Sequence, residues 1–502
     1  MSFEKSKCNY INKTKLKDEQ IMLDCAMNLD NNGELSKILW INVYPQIDTV
    51  EPLTKEVGYS GKAIFEVVFL DTENKIRTAE NTVPFLNKFI NENIQPSSKI
   101  NITPSVVEAN YIENYDKIQA LINLEATVYN CSNIEILNGG DEDICIKEEE
   151  IVSHSLVKDD CLSFNEELAY SVNEKYDRIL SVCSNVIVKE ITPEKDFFTV
   201  QGEIHTAIQY VTADETEKIN KVIFTEPFKR EIEVIGLTES SQVETIAFVK
   251  RDAYKFEVDE ETAKVVITAP ITVCFKAFES LVMPYAIDLF SLKNNLEIVT
   301  NSYQKTMFLE NDFFDKKVEG STSLAENEPR IDKLIGFSGG VLKPTNQYLK
   351  NNEIFLEGII SFDVAYLNDE MGKITTLKKE IPYTISEKCN VPENAQVFTQ
   401  QFLTDTEITS RRGREIFIDA KIKVFLTSSK DVSDAVITDV IMGEPLPPKE
   451  HAIEIYFGKS GDNIWDISKE LKVQPQIIIT QNPDVNLPLE QNENIVIYNQ
   501  KN

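Results

Sequence analysis

The amino-acid sequence predicts a mainly β protein: three tandem antiparallel, β-sandwich-like repeat domains followed by a small α+β unit of order βααβ. Three observations carry this reading. A glycine-led run with period-two alternation occurs three times, as "GKAIFEVVF" from Gly61, "GEIHTAIQY" from Gly202 and "GIISFDVAY" from Gly358. The same landmarks flank each run at nearly the same distance. After Ile453 the period changes from that of strands to that of helices.

Within each run the even steps after the glycine are apolar: Ala63, Phe65, Val67 and Phe69; Ile204, Ile208 and Tyr210, with Thr206 between; Ile360, Phe362, Val364 and Tyr366. Polar residues dominate the odd steps in the second and third runs, as at Glu203, His205, Gln209, Ser361 and Asp363. Such alternation marks a strand with one face on a core. A Pro-aromatic pair follows each glycine by 23 to 25 residues, at Pro84-Phe85, Pro227-Phe228 and Pro382-Tyr383. A two-residue Ile/Leu run precedes it by 23 or 24, at Ile38-Leu39, Ile179-Leu180 and Leu334-Ile335. Each copy closes on a second strand-like run ending at Tyr129, Phe275 or Phe425.

These landmarks place the repeat domains at 1–135, 150–280 and 306–429. The intervening stretches, such as "EILNGGDEDICIKEEE" and "FLENDFFDKKVEGSTSLAENEPR", are acidic and read as loops. A Pro-rich joint is expected over 430–451, and the first 20 residues fit either disorder or an extra edge strand.

The C-terminal unit, 452–499, begins with the strand-like "IEIYF". Asp462 is placed to cap a first helix, in which Ile464, Ile467 and Leu471 form one apolar stripe beside Trp465. Pro475 suits the first turn of a second helix, ending near Asn482-Pro483, and "ENIVIY" returns as a strand. Trp465, one of two tryptophans, reads as a contact anchor, with packing inside a small module as the other possibility.

Composition limits the function classes. The 502 residues hold 51 Lys+Arg against 82 Asp+Glu, a formal net charge of -31, which disfavours nucleic-acid or anionic-membrane binding by bulk charge. No stretch approaches the ~20 apolar residues of a membrane span, and the N-terminus lacks a signal-peptide core. Eight cysteines lie scattered with no C-x-x-C pair; Cys183 and Cys274 read as small core hydrophobes, and a reducing cytoplasm is expected.

No phosphate-binding loop is present, so no cofactor is expected. Cys145, His154 and Cys161 share one acidic stretch, but their spacing fits no zinc pattern, so no metal is expected either. With three histidines, His154, His205 and His451, no catalytic set can be assembled. The basic cluster "SRRGRE", Ser410 to Glu415, is expected at a hairpin turn.

The C-terminal residues resemble a LysM module. Gly461-Asp462-Asn463-Ile464-Trp465-Asp466-Ile467-Ser468 is similar to the family's Gly-Asp-Thr-Leu-Trp opening and Ile-Ala helix. Asn482 matches its later Asn, and Ile495-Val496-Ile497 its closing strand. Asn463 replaces the usual Thr, and Asn492 a usual Gly. The resemblance implies a groove, which in many members binds N-acetylglucosamine chains, between the loop after the first strand and the loop before the last. Partner binding is accordingly expected at Gly461, Asp462, Asn463, Ile464, Trp465, Asn482 and Pro483.

As a whole, three β-rich repeats with a terminal LysM resemble the clostridial spore-coat family of SpoIVA-interacting proteins, SipL. This resemblance implies a non-enzymatic scaffold in the mother-cell cytoplasm that tethers the coat ATPase SpoIVA to the forespore surface through its LysM. Other coat proteins would be further partners. The alternative is a LysM protein that binds peptidoglycan of the cortex or wall.

Overall fold

The computed structural model describes residues 3–26, 34–172, 174–213, 218–259, 264–369, 372–449 and 451–498. Copy 1 comprises β1 (Phe3–Lys15), β2 (Glu19–Ala26), β3 (Leu35–Pro52), β4 (Glu56–Asp71), β5 (Ile76–Ile90), β6 (Lys99–Ile112) and β7 (Lys117–Gly140). Copy 2 comprises β8 (Ile144–Ser171), β9 (Tyr176–Glu194), β10 (Phe197–Thr212), β11 (Ile219–Glu233), β12 (Gln242–Val249), β13 (Lys255–Asp259) and β14 (Lys264–Ser291). Copy 3 comprises β15 (Asn294–Ser323), β16 (Ile331–Phe337), β17 (Val341–Lys350), β18 (Glu353–Asn368), β19 (Ile374–Lys388), β20 (Gln396–Arg411) and β21 (Glu415–Pro445). The chain ends with β22 (Ile453–Gly458), α1 (Ile464–Leu471), α2 (Pro475–Gln481) and β23 (Glu493–Tyr498).

All three copies share one antiparallel plan. A meander forms the first sheet, with the glycine-led run as its central strand: β3-β4-β5, β11-β10-β9, and β18 between β16/β17 and β19. The second sheet centres on the long closing strand, β7, β14 or β21, flanked by the copy's first strand and by the strand before the closing one. The apolar even steps face the core between the two sheets, as Phe65, Val67 and Phe69 do in copy 1 and Ile360, Phe362 and Val364 in copy 3.

The landmarks have a physical cause. Gly61, Gly202 and Gly358 each pair across the ladder with the aromatic of the Pro-aromatic dipeptide, Phe85, Phe228 and Tyr383. On its other side each glycine faces a β-bulge, at Asp48, Lys189 and Thr345 respectively. The bulge turns a carbonyl, of Gln46, Ile187 or Lys343, into the space a side chain would occupy, so a Cβ at any of these glycines would collide with backbone oxygen. In copies 1 and 3 the ring of Phe85 or Tyr383 also covers the bare glycine.

The Ile/Leu landmark is a second bulge. Leu39, Leu180 and Ile335 are each the unpaired residue on their strand. The first member of each pair, Ile38, Ile179 or Leu334, packs into its own copy. The bulged second member turns into one apolar cluster shared by all three copies, which also holds Trp40, Val68, Val211 and Ala365. The copies contact one another cyclically, β5 on β9, β11 on β16 and β19 on β3.

Several expectations need correction. The acidic stretches read as loops are mostly strand, with loops only at 141–143 and 324–330. β7 continues to Gly140, β8 starts at Ile144, and β15 runs unbroken to Ser323. Their alternation serves a second inter-copy contact, where Cys8, Ile136, Ile151, Tyr303 and Val436 cluster. Much of the stretch read as a Pro-rich joint is strand as well, since β21 extends to Pro445 opposite β15. Of the two readings of the first 20 residues, the added strand is the one found, with Phe3–Lys15 forming β1 against β7.

Cys274 is not a free core thiol. It faces Cys161 across the β8–β14 ladder and is bonded to it, with an S–S distance of 2.07 Å. "SRRGRE" forms the β20–β21 turn as expected, with Arg412 and Gly413 at positive φ. Among the described residues, no helix is long and apolar enough to cross a membrane.

Candidate functional site

The C-terminal unit builds its own small core. β22 and β23 pair antiparallel, and α1 and α2 cover one face of the ribbon. Ile467, Leu471, Val473, Ile478, Leu489, Ile495 and Ile497 are buried together there. Ile464, expected in the stripe, is half-buried at the first turn of α1 and lies outside that cluster.

The loop residues hold the unit together. Asp462 does not cap α1; Asn463 does, accepting from the Asp466 N–H at 3.0 Å. Asp462 sits one residue too early and instead accepts from the Lys459 N–H at 2.8 Å and the Tyr456 hydroxyl at 3.0 Å. Those two bonds hold its carboxyl below the usual range, while burial and Asp462 push the Tyr456 phenol up to about 12. Gly461 adopts φ +96°, a conformation that suits glycine.

Asn482 bridges α2 to β23. Its amide donates to the Ile478 and Val496 carbonyls at 3.0 and 2.9 Å and accepts from the Val496 N–H at 2.9 Å. Pro483 follows the end of α2. The loop after β22 and the loop before β23 are bonded to each other. Gly461 N–H donates to the Leu489 carbonyl at 2.7 Å, Leu489 N–H to the Asp462 carbonyl at 2.9 Å, and Ser460 N–H to the Asn492 side chain at 3.1 Å.

Trp465 leans on copy 2. Its indole N–H donates to Asp288 Oδ2 at 2.8 Å, and its ring meets Phe290 edge-on with centroids 5.2 Å apart. Lys469, one turn on, donates to Asp288 Oδ1 at 2.6 Å, and Lys472 Nζ lies 5.5 Å over the Phe290 ring. Asp288 follows the bulged Ile287 on β14, which re-aims it toward the C-terminal unit. Burial opposes its ionised form, but the bonds from Lys469 and Trp465 outweigh that and hold its pKa below the usual value. Sequence reasoning missed Asp288 and Phe290; they lie in an ordinary strand, and nothing local marks them as a docking pair.

The other face of the ribbon is open. Ile453, Ile455 and Phe457 alternate along β22, and Tyr498 lies across from Ile453. Phe457 is 74% exposed and Tyr498 57%, an apolar strip that no other part of the chain covers among the described residues.

His205 and His154 fall in structural networks. His205 is buried between copies, 3.0 Å from both Glu203 Oε2 and Lys423 Nζ. Burial opposes ionisation of Glu203, yet bonds from Lys189, Lys423 and His205 bring it down to about 2. His154 lies against Ser280 and the edge of Phe308. Cys145 and Cys161 face Phe290 and Cys274 at different points of the same ladder, and among the described residues no metal-ligand cluster is present.

Residues 176–257 match the family model described as SipL, SPOCS domain, a stretch that begins with β9 and ends within β13 of copy 2. No curated protein and no solved structure matches the chain.

Proposed function

We propose that this protein is a non-enzymatic scaffold of spore-coat assembly, working from the mother-cell cytoplasm at the forespore surface. The observation that carries the reading is the SipL match over 176–257, which takes in the meander sheet, β12 and part of β13 of one of three copies built to the same plan. The βααβ unit, read as a LysM, is the arm that tethers a SpoIVA-like coat ATPase. The copies offer further surface for other coat proteins, and several weak contacts on one chain raise each other's effective concentration.

The geometry of the unit supports a protein partner over a glycan. Its two groove loops are bonded to each other, and Asp462, Asn463 and Asn482 are engaged in the unit's own turns. An apolar strip of Ile455, Phe457 and Tyr498 is left open on the ribbon.

Affinity capture from sporulating cells tests this directly, comparing the full chain with Phe457→Glu and with a deletion of 451–502. Loss of the SpoIVA-like ATPase from both variants is expected. Undiminished capture by the deletion refutes the tether. Sedimentation with peptidoglycan, competed by chitooligomers, would establish the glycan reading instead.

A further inference from the structure

Where the three copies meet below their shared apolar cluster, a cavity of about 230 Å³ opens, lined by strands of all three. The internal repeat shows what is unusual about it. The fifth residue after the landmark glycine points away from the copy's core: Glu66 in copy 1, Ala207 in copy 2 and Asp363 in copy 3. Glu66 is fully satisfied, accepting from Asn42 at 2.9 Å, from Ser181 at 2.9 and 3.0 Å, and from Arg251 at 2.8 Å.

Asp363 lines the cavity, and its carboxylate has no hydrogen bond or ion pair among the described residues. Where copy 1 supplies Asn42 beside its carboxylate, copy 3 has Ser338-Gly339-Gly340; the Ser338 hydroxyl bonds the Asp363 backbone, and a side chain on Gly339 would meet nothing within 4 Å. The missing donors leave space.

A second charged group faces the same space. Lys221, on β11 of copy 2, also lines the cavity without a hydrogen bond or ion pair to its ammonium among the described residues. Neighbouring charges are occupied: Lys343 with Glu380 at 2.6 Å, Asp405 with Lys421 at 3.3 Å, and His205 with Glu203 and Lys423. Lys378, hydrogen-bonded to Asn110 at 3.5 Å, also lines the cavity and acts on Asp363 through space.

We propose that this cavity binds a small zwitterion of amino-acid size, its ammonium on Asp363 and its carboxylate on Lys221. Two half-buried charges of opposite sign, neither of them hydrogen-bonded among the described residues, line one cavity and suit the two ends of such a molecule, and each contact would be charge-assisted. The volume lies below the roughly 300–1,000 Å³ of drug-sized sites, which limits the ligand to a free amino acid or a close analogue. Burial raises the Asp363 carboxyl to about 6 against the opposing charges of Lys378 and Lys343, and lowers the Lys221 ammonium to about 8 against Cys183 and Asp405. The site is independent of the scaffold reading and of the C-terminal unit.

The test is a thermal-shift screen of the full chain against the twenty L-amino acids at millimolar concentration, with calorimetry on any that raise the midpoint. At least one is expected to bind and to weaken about tenfold or more in both Asp363→Asn and Lys221→Met, the loss typical of one charged hydrogen bond. Both substitutions remove an unpaired charge, so the fold is retained, as circular dichroism would verify. Failure of all twenty to bind overturns the proposal. Binding that persists in either variant does the same.

Discussion

Replacing Asp288 by Ala should release the C-terminal unit from copy 2. The indole bond to a charged carboxylate is worth about 1.5 kcal/mol. The Lys469–Asp288 pair, with side chains 40% and 27% exposed, adds about 0.5 kcal/mol after solvent screening. A combined loss near 2 kcal/mol lowers the docked-to-free ratio about thirtyfold. Two readouts follow. Trp40 is 2% exposed in the inter-copy cluster and its emission should stay constant, so a red shift reports Trp465 entering water. Cleavage by trypsin after Lys449, just ahead of the unit, should rise by a similar factor while the repeats stay intact, because cleavage tracks the open population when closing is fast. Asp288→Asn, which keeps an acceptor for the indole, should show less than half of the effect. Wild-type emission and cleavage in Asp288→Ala would refute the view that this carboxylate holds the unit in place.

Two further outcomes follow from the repeat. Gly202→Ala should destabilise the chain by at least 2–4 kcal/mol, because the new methyl meets the Ile187 backbone carbonyl and the bulge cannot relax as a side chain would; a urea midpoint within error of wild type would contradict the bulge account. Asp363 gives a pH signature. Its folded pKa is raised, so the native state binds the extra proton and stability falls as pH rises from about 4 to about 6. The full loss is about 3 kcal/mol above that window. Urea titrations of wild type and Asp363→Asn at pH 4 and pH 7.5 should therefore diverge only at the higher pH, with the variant more stable, and parallel curves would refute the burial of this carboxylate.

Much of the fold was legible because strands announce themselves locally. Period-two alternation located the three central strands, and the glycine and Pro-aromatic landmarks located a cross-strand pair and its bulge, whose geometry demands those residue types. The helical period after Ile453 located α1 and α2. Acidic strands were harder to read. The segment 144–171 carries so many charges that its alternation resembles a solvated loop, and only its partner β14 makes it a strand. The cap of α1 was misplaced by one residue because Asp462 and Asn463 have equivalent capping chemistry, and backbone geometry alone chooses between them.

By itself, then, the sequence determined that three β copies and a βααβ unit would form, since each follows from spacing within a few tens of residues. What the polar faces meet was decided by tertiary structure. The odd positions of β4, β10 and β18 face neighbouring copies, so Glu66 is buried against Arg251, 185 residues away. The Cys161–Cys274 bond and the seat of Trp465 on Asp288 join positions 113 and 177 residues apart. Periodicity reports which side of a strand is polar. Whether that side faces water, another copy or a buried cavity depends on long-range packing, and local spacing carries no record of it.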